Sequence, residues 1–320
     1  SFGIDAHFLR TWSKPFSGPS VFPLMLCFLS HSKTVWQVLL IGLLCVTVSA
    51  NAQNLTGASD LSLVQSWSQE PNGWSYPVAV SVPPGEMPAQ GFPVGILLHG
   101  NGGNGFQMLN LGGNLLTDHI LVAPTGYLNS WNLCGENSEA PDIAMLSDLV
   151  AQLSGFDNVD ANHIRLIGSS NGAGLVNQAF IELDDPGVDA FVAIVSQMNQ
   201  PQFHQGAFHR PSGVTDSPLS FCGYDDVVVP LQGRKYLSIC NHNDSVVPYD
   251  GGPAVGNFFL PAEFAIHQVA LQQGHVGPPV PGEPLAGTGL TAFSYLEGEC
   301  GARARQCRTR DKPFPRHGGV

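Results

Sequence analysis

Gly168-Ser169-Ser170-Asn171-Gly172 sets a serine between two glycines, one two residues before it and one two residues after. The apolar run His163-Ile164-Arg165-Leu166-Ile167 leads into it, and the small-residue stretch Ala173-Gly174-Leu175-Val176 leads out. A strand, a glycine-bracketed serine and a helix start are the parts of a sharp turn that offers a serine hydroxyl to a carbonyl carbon; a Cβ at either glycine would clash across the turn. Ser170 is therefore the expected nucleophile. In a chain with 37 glycines the same letters could be a plain polar turn; the strand before and the helix after decide for the nucleophile.

Attack on a carbonyl builds negative charge on its oxygen, and fixed N–H donors must wait where that charge develops. Pro93-Val94-Gly95-Ile96-Leu97-Leu98 reads as a buried strand running into His99-Gly100-Asn101-Gly102-Gly103-Asn104-Gly105. A glycine loop at that point can turn backbone amides inward. The expected donors are the amides of Asn101 or Gly102 on this loop, with that of Asn171, the residue after the nucleophile. A phosphate loop is excluded, since no Lys-Ser/Thr closes the motif and the glycine spacing is not G-x-G-x-x-G.

A third strand-like run, Lys235-Tyr236-Leu237-Ser238-Ile239-Cys240, opens into Asn241-His242-Asn243-Asp244-Ser245-Val246-Val247-Pro248-Tyr249. Asp244 is the expected acid, holding a histidine tautomer and stabilising the imidazolium. Asp225, Asp226 and Asp250 are its rivals, each in a polar turn where a solvated carboxylate is the ordinary state.

With these motifs in chain order, the sequence resembles the secreted esterase branch of the α/β-hydrolases that contains short-chain poly(3-hydroxybutyrate) depolymerases, feruloyl esterases and related polyester hydrolases. The resemblance is carried by residues 97–105, Val122-Ala123-Pro124, Ser130-Trp131-Asn132, Ser169-Ser170-Asn171-Gly172 and residues 244–252. It implies an α/β-hydrolase fold, a mostly parallel central sheet with helices on both faces. It also implies a serine carboxylester hydrolase that works through an acyl-enzyme, with Ser170, Asp244 and a histidine as triad, Asn101 and Asn171 as oxyanion donors, and no metal or organic cofactor. Its substrate would be a polyester of the hydroxyalkanoate type or an aryl or feruloyl ester. A peptidase of the same fold and a non-catalytic relative that binds a ligand are the alternatives.

The resemblance places the histidine in a Gly-His segment after the last strand, downstream of Thr291-Ala292-Phe293-Ser294-Tyr295-Leu296-Glu297-Gly298. Only His317 lies there, in Pro315-Arg316-His317-Gly318-Gly319, without the preceding glycine. His275 has the Gly-His dipeptide but follows an expected helix over 261–273. His267 lies inside that helix, and His242 is too near Asp244 in sequence. The base is therefore His317, or His275, or absent from the chain.

The whole chain has a net charge of -12, and residues 53–300 hold 23 Asp and Glu against 4 Lys and Arg. Such an acidic body argues against nucleic acid and anionic membranes as partners. Residues 301–320 reverse the balance with five arginines, and read as an atypical basic tail or an out-of-frame end. Residues 1–24 read as a non-native upstream segment. Residues 25–52 carry Lys33, an apolar stretch over 35–50 and Ala50-Asn51-Ala52, the pattern of a signal peptide cut before Gln53. The expected location is secreted or periplasmic. Beyond the leader, Cys134 and Cys222 are the expected disulfide, with Cys240 a buried thiol in an apolar strand. No zinc-type spacing occurs.

Residues 53–300 suit one catalytic domain, expected as a monomer. Strand-like runs at 75–82, 94–98, 120–123, 163–167, 190–195 and 235–240 alternate with helix-like stretches such as 140–153, the pattern of a parallel sheet covered on both faces. Residues 197–232, rich in proline, glycine and aromatics, are expected to be irregular and to form a cap. Phe106, Trp131, Phe203 and Phe208 are loop aromatics that either contact substrate or pack.

Overall fold

Short apolar runs bounded by turn residues become strands when helices cover both faces of the sheet they join, and the computed structural model of the chain has one large sheet built this way. The structure describes residues 53–212 and 221–295 in full, and the backbone of Leu296 and of 303–309. The chain divides into two units, Ser1–Ala52 and Gln53–Val320, and everything described belongs to the second. Residues 1–24 and the expected leader, 25–52, lie outside the described residues.

In chain order the elements are β1 (Val64–Trp67), β2 (Glu70–Ser75), β3 (Val78–Ser81), β4 (Phe92–Leu98), α1 (Gly105–Gly112), β5 (Ile120–Pro124), α2 (Asp142–Leu153), β6 (Val159–Ser169), α3 (Asn171–Glu182) and β7 (Val188–Ile194). They continue with β8 (Phe203–His204), β9 (Ala207–Pro211), β10 (Tyr224–Val228), β11 (Lys235–Asn241), β12 (Gly252–Ala254), β13 (Asn257–Phe259), α4 (Ala262–Gln272), β14 (Glu283–Leu285), β15 (Leu290–Leu296) and β16 (Arg303–Thr309).

Nine strands form the main sheet in the order β14-β15-β16-β11-β7-β6-β4-β5-β3. From β5 to β16 every neighbouring pair is parallel; β3 joins β5, and β15 joins β16, antiparallel. With α1 to α4 interleaved between the strands, this is the α/β-hydrolase fold expected from the sequence. β16 is drawn from the basic segment, whose composition does not suggest a strand, yet its backbone pairs with β11 on one edge and β15 on the other.

The parallel strands are apolar on both faces because both are covered. Along β4, Val94, Ile96 and Leu98 join the larger core with α2 and α3, while Leu97 joins Met108, Leu116, Leu121 and Ala123 on the other side. Successive strand residues point to opposite faces, so one run feeds two cores. Each fully buried Val, Leu or Ile contributes about 1.5–3 kcal/mol.

Register decides what meets at the carboxyl edge. Leu98 at the end of β4 pairs with Gly168 of β6, Ser169 pairs with Ile194 of β7, and Ile194 pairs with Ile239 of β11. The glycine loop after Leu98, the serine after Ser169 and the acidic loop after Asn241 therefore leave the sheet side by side.

Residues 197–232, expected to be irregular, contain the three-stranded antiparallel sheet β8-β9-β10. It is fastened by the expected disulfide between Cys134 and Cys222 and by the Tyr224 hydroxyl, which donates to the Leu133 carbonyl at 3.0 Å. Cys240 is buried, as expected, with its Sγ 3.7 Å from Gln197 Oε1. Among the described residues no helix is long and apolar enough to cross a membrane.

Candidate active site

Ser170 links β6 to α3 with φ 54 and ψ -120, a conformation that a residue with a Cβ adopts only when its surroundings enforce it. The enforcement is visible on both sides. Its amide donates to Ile194 O at 2.8 Å, and its carbonyl accepts from the amides of Ala173 and Gly174 in the first turn of α3. The bracketing glycines have no room for a side chain: a Cβ on Gly168 would lie 2.1 Å from Gly172 O, and one on Gly172 would lie 2.4 Å from Leu98 O. The turn thus needs glycine at both places because backbone, which cannot move aside, fills the space. The Ser170 side chain is half-buried and its hydroxyl makes no hydrogen bond among the described residues. β7, beside it, is followed by Val195 at φ 65, a rare state for a β-branched residue, held by its amide donating to Ile239 O at 2.7 Å.

The glycine loop passes directly beside this turn, with Gly100 so close that a Cβ there would stand 3.3 Å from Ser170 Cβ. Among the described residues the backbone amides of Asn101 and Asn171 have no acceptor. Asn171 is the first residue of α3, where the N–H has no intrahelical partner and the helix dipole favours negative charge. Gly102 is not a donor to the site, because its amide donates to Asn129 O at 2.8 Å.

Two aromatic side chains hold the loop. The Nε2 of His99 accepts from the Gly126 amide at 2.9 Å, which leaves the Nδ1–H to donate to Gly100 O at 2.7 Å. Burial keeps this ring's pKa below its ordinary value, and the hydrogen bond to Gly100 opposes that shift. The indole N–H of Trp131, fully buried, donates to His99 O at 2.8 Å. Trp131, Phe203 of β8 and Phe208 of β9 are all core residues; of the four aromatics expected on loops only Phe106, in α1, is exposed, at 66%.

Asp244 sits in the turn after β11. One carboxylate oxygen accepts from the amides of Val246 and Val247 at 2.7 and 2.9 Å, which orients the group, and Oδ2 has no partner among the described residues. β6 and β11 flank β7, so the strands that lead into Ser170 and Asp244 lie about 10 Å apart. The rivals lie elsewhere. Asp225 and Asp226 belong to β10 of the small sheet, the latter 3.6 Å from Arg210, and Asp250 is exposed.

His275 is on the wrong edge. It follows α4, whose end is tied to the residues that precede β11: Gln273 accepts from the Arg234 amide at 2.9 Å and donates to Leu231 O at 2.8 Å. β11 is seven residues long, so about 20 Å of strand separates this point from Asp244. His267 bonds Gly277 O in the same region, and His242 is exposed with its ring against Tyr249. His317 lies outside the described residues. β16 runs parallel to β11, so the chain leaves Thr309 at the carboxyl edge.

The site also has parts that the sequence did not indicate as functional: the locked His99 ring, strained Val195, and Glu136, which bonds the side chain of Asn171 at 3.1 Å. Among the described residues no group of three or more His, Cys, Asp or Glu is arranged to hold a metal ion.

No family model matches the chain, and no curated protein is similar to it in sequence. Solved structures give distant likenesses. The acetyl xylan esterase from Aspergillus awamori is 13% identical over 72% of this chain and 86% of its own, with a TM-score of 0.48. A phospholipase/carboxylesterase from Dyadobacter fermentans DSM 18053 is 16% identical over 62% of this chain and 83% of its own, with a TM-score of 0.42. The Bacillus cereus carboxylesterase is 16% identical over 54% of this chain and 74% of its own, with a TM-score of 0.39.

Proposed function

We propose that the chain is a serine carboxylester hydrolase. One observation carries the reading: Ser170 is held in a strained turn beside two backbone amides, of Asn101 and Asn171, that have no acceptor among the described residues. A packed turn has no use for such strain, whereas a nucleophile that must stand clear of its neighbours has. In this reading the base takes the Ser170 proton, the alkoxide oxygen bonds the ester carbon, and the two amides bind the oxyanion. Collapse expels the alcohol, which takes the proton from the imidazolium, and a water activated by the same base releases the acid. His317 is the proposed base, oriented by the free oxygen of Asp244.

Within this class we rank polyesters of the hydroxyalkanoate type slightly above feruloyl or acetyl esters, on the sequence resemblance. The exposed apolar side chains after the strands' carboxyl ends suit an apolar acyl chain: Phe106 in the first turn of α1, Val246 after Asp244, and Val255 and Phe258 on the β12–β13 hairpin. Export to the periplasm or medium goes with the leader pattern. Turnover of p-nitrophenyl acetate tests the class, and its absence in correctly folded protein overturns it. Clearing of a polyester emulsion against release of ferulate from its methyl ester tests the ranking.

A further inference from the structure

We propose that Glu136 is a positioning residue of the oxyanion hole, holding the Asn171 side chain and through it the backbone amide that would meet the developing charge. The proposal rests on the hydrolase reading of Ser170.

Residues 130–136 form no regular structure beyond a turn, yet four consecutive amides are each taken by a side-chain acceptor. Trp131 N–H donates to Asn171 Oδ1 at 2.8 Å, and Asn132 N–H to Asp142 Oδ2 at 2.7 Å. Leu133 and Cys134 N–H both donate to Glu136 Oε2, at 3.1 and 2.8 Å. The other carboxylate oxygen, Oε1, accepts from Asn171 Nδ2 at 3.1 Å. One acid therefore shapes the loop with one oxygen and grips the residue after the nucleophile with the other.

A carboxylate only accepts, so Glu136 favours the same orientation of the Asn171 amide as the Trp131 backbone, whose N–H donates to Oδ1 at 2.8 Å and whose carbonyl accepts from Nδ2 at 3.2 Å. With that side chain held at both ends, the start of α3 is tethered to the 130–136 loop. The same loop braces the opposite donor, because the Trp131 indole holds His99 O two residues before Asn101. From outside, the loop is pinned by the Cys134–Cys222 disulfide and by Leu133, which packs so tightly on α3 that a Cβ on Gly174 would lie 2.3 Å from its Cδ1. None of the hydrogen bonds of Glu136 goes to Ser170 or to a backbone amide of the hole, so it acts through Asn171.

Glu136→Gln keeps the shape but replaces one acceptor with a donor. Either Asn171 Nδ2 or the two loop amides then face an N–H. On p-nitrophenyl acetate, kcat should fall about ten- to hundredfold, part of the 10²–10³ that losing a whole oxyanion donor costs, while KM stays within about twofold. Asn171→Ala removes the same anchor and keeps the backbone N–H, so it should lose a similar factor. The double variant should lose clearly less than the product of the two single losses, since both variants break the shared Glu136–Asn171 bond. Unchanged kcat in folded Glu136→Gln, or losses that multiply in the double variant, overturns the proposal. Where Glu136→Gln does not fold, Asn171→Ala decides alone, and full kcat there overturns it. Wild-type protein that is folded but neither turns over esters nor is labelled at Ser170 marks failure of the hydrolase reading instead, and the proposal falls with it.

Discussion

The Nε2 of His99 accepts a hydrogen bond from the Gly126 amide, so this buried ring must stay neutral for the glycine loop to hold its place. Burial lowers its folded pKa below the ordinary 6.5, so the unfolded chain takes up the proton first as pH falls. Its contribution to stability is therefore fully present above pH 6.5 and is lost as pH falls from there towards the folded value. His99→Gln can keep an acceptor for Gly126 and does not titrate. Asp142 and Glu182, both raised to about 7 by burial, titrate the other way but are common to both proteins and cancel in the difference. Urea midpoints should show wild type losing stability relative to His99→Gln below pH 6.5, by at most about 1.4 kcal/mol per pH unit. A difference that does not change with pH contradicts the locked neutral ring.

The two bracketing glycines should be far less tolerant than glycines that merely turn the chain. Gly172→Ala would put a Cβ 2.4 Å from Leu98 O, backbone in the centre of the sheet, and should cost more than about 3 kcal/mol or prevent folding. Gly206→Ala meets nothing within 4 Å and carries only the strain of φ +78, about 1 kcal/mol. Denaturant titration of the pair checks this; equal effects would mean the turn relaxes.

How much of this was legible in the sequence varies from residue to residue. β4 and β11 read as buried strands because apolar runs bounded by turn residues have few other uses. β6 was seen only in part: residues 163–167 are the apolar end of an eleven-residue strand whose start, Asp160-Ala161-Asn162, is polar. The strands β8 to β10 are two to five residues long among prolines and glycines, too short to show a period. The elbow was legible because its glycines answer a steric demand within five residues. Glu136 was not, since Leu133-Cys134-Gly135-Glu136 reads as a solvated loop and its partner lies 35 residues away. Gly102 was named as a possible donor and is excluded by Asn129, a contact no local pattern announces.

The Cys134–Cys222 disulfide joins the loop beside the elbow to the small sheet across 88 residues. Closing a loop of that length in the unfolded chain should contribute about 2–4 kcal/mol. Replacing both cysteines by serine should lower the denaturation midpoint accordingly, and the native bridged peptide should appear in a non-reducing digest. An unchanged midpoint would mean that the small sheet is held by packing alone.

Because β16 lies between β11 and β15, removing everything after Gly298 would damage the sheet as well as the proposed base. A chain ending at Thr309 keeps β16 and loses only the segment that carries His317. It should stay folded by circular dichroism and lose at least about 10³-fold in ester turnover, as loss of a base that works as a unit with its serine does. Full turnover would place the base elsewhere.

The central claim is that Ser170 is a nucleophile, and covalent labelling tests it without knowledge of the substrate. A fluorophosphonate probe followed by peptide mapping should place the label on Ser170 of the wild type. Ser170→Ala should take up no label and show almost no ester turnover, with its unfolding transition unchanged. Label on another residue, or an alanine variant as active as the wild type, would contradict the account.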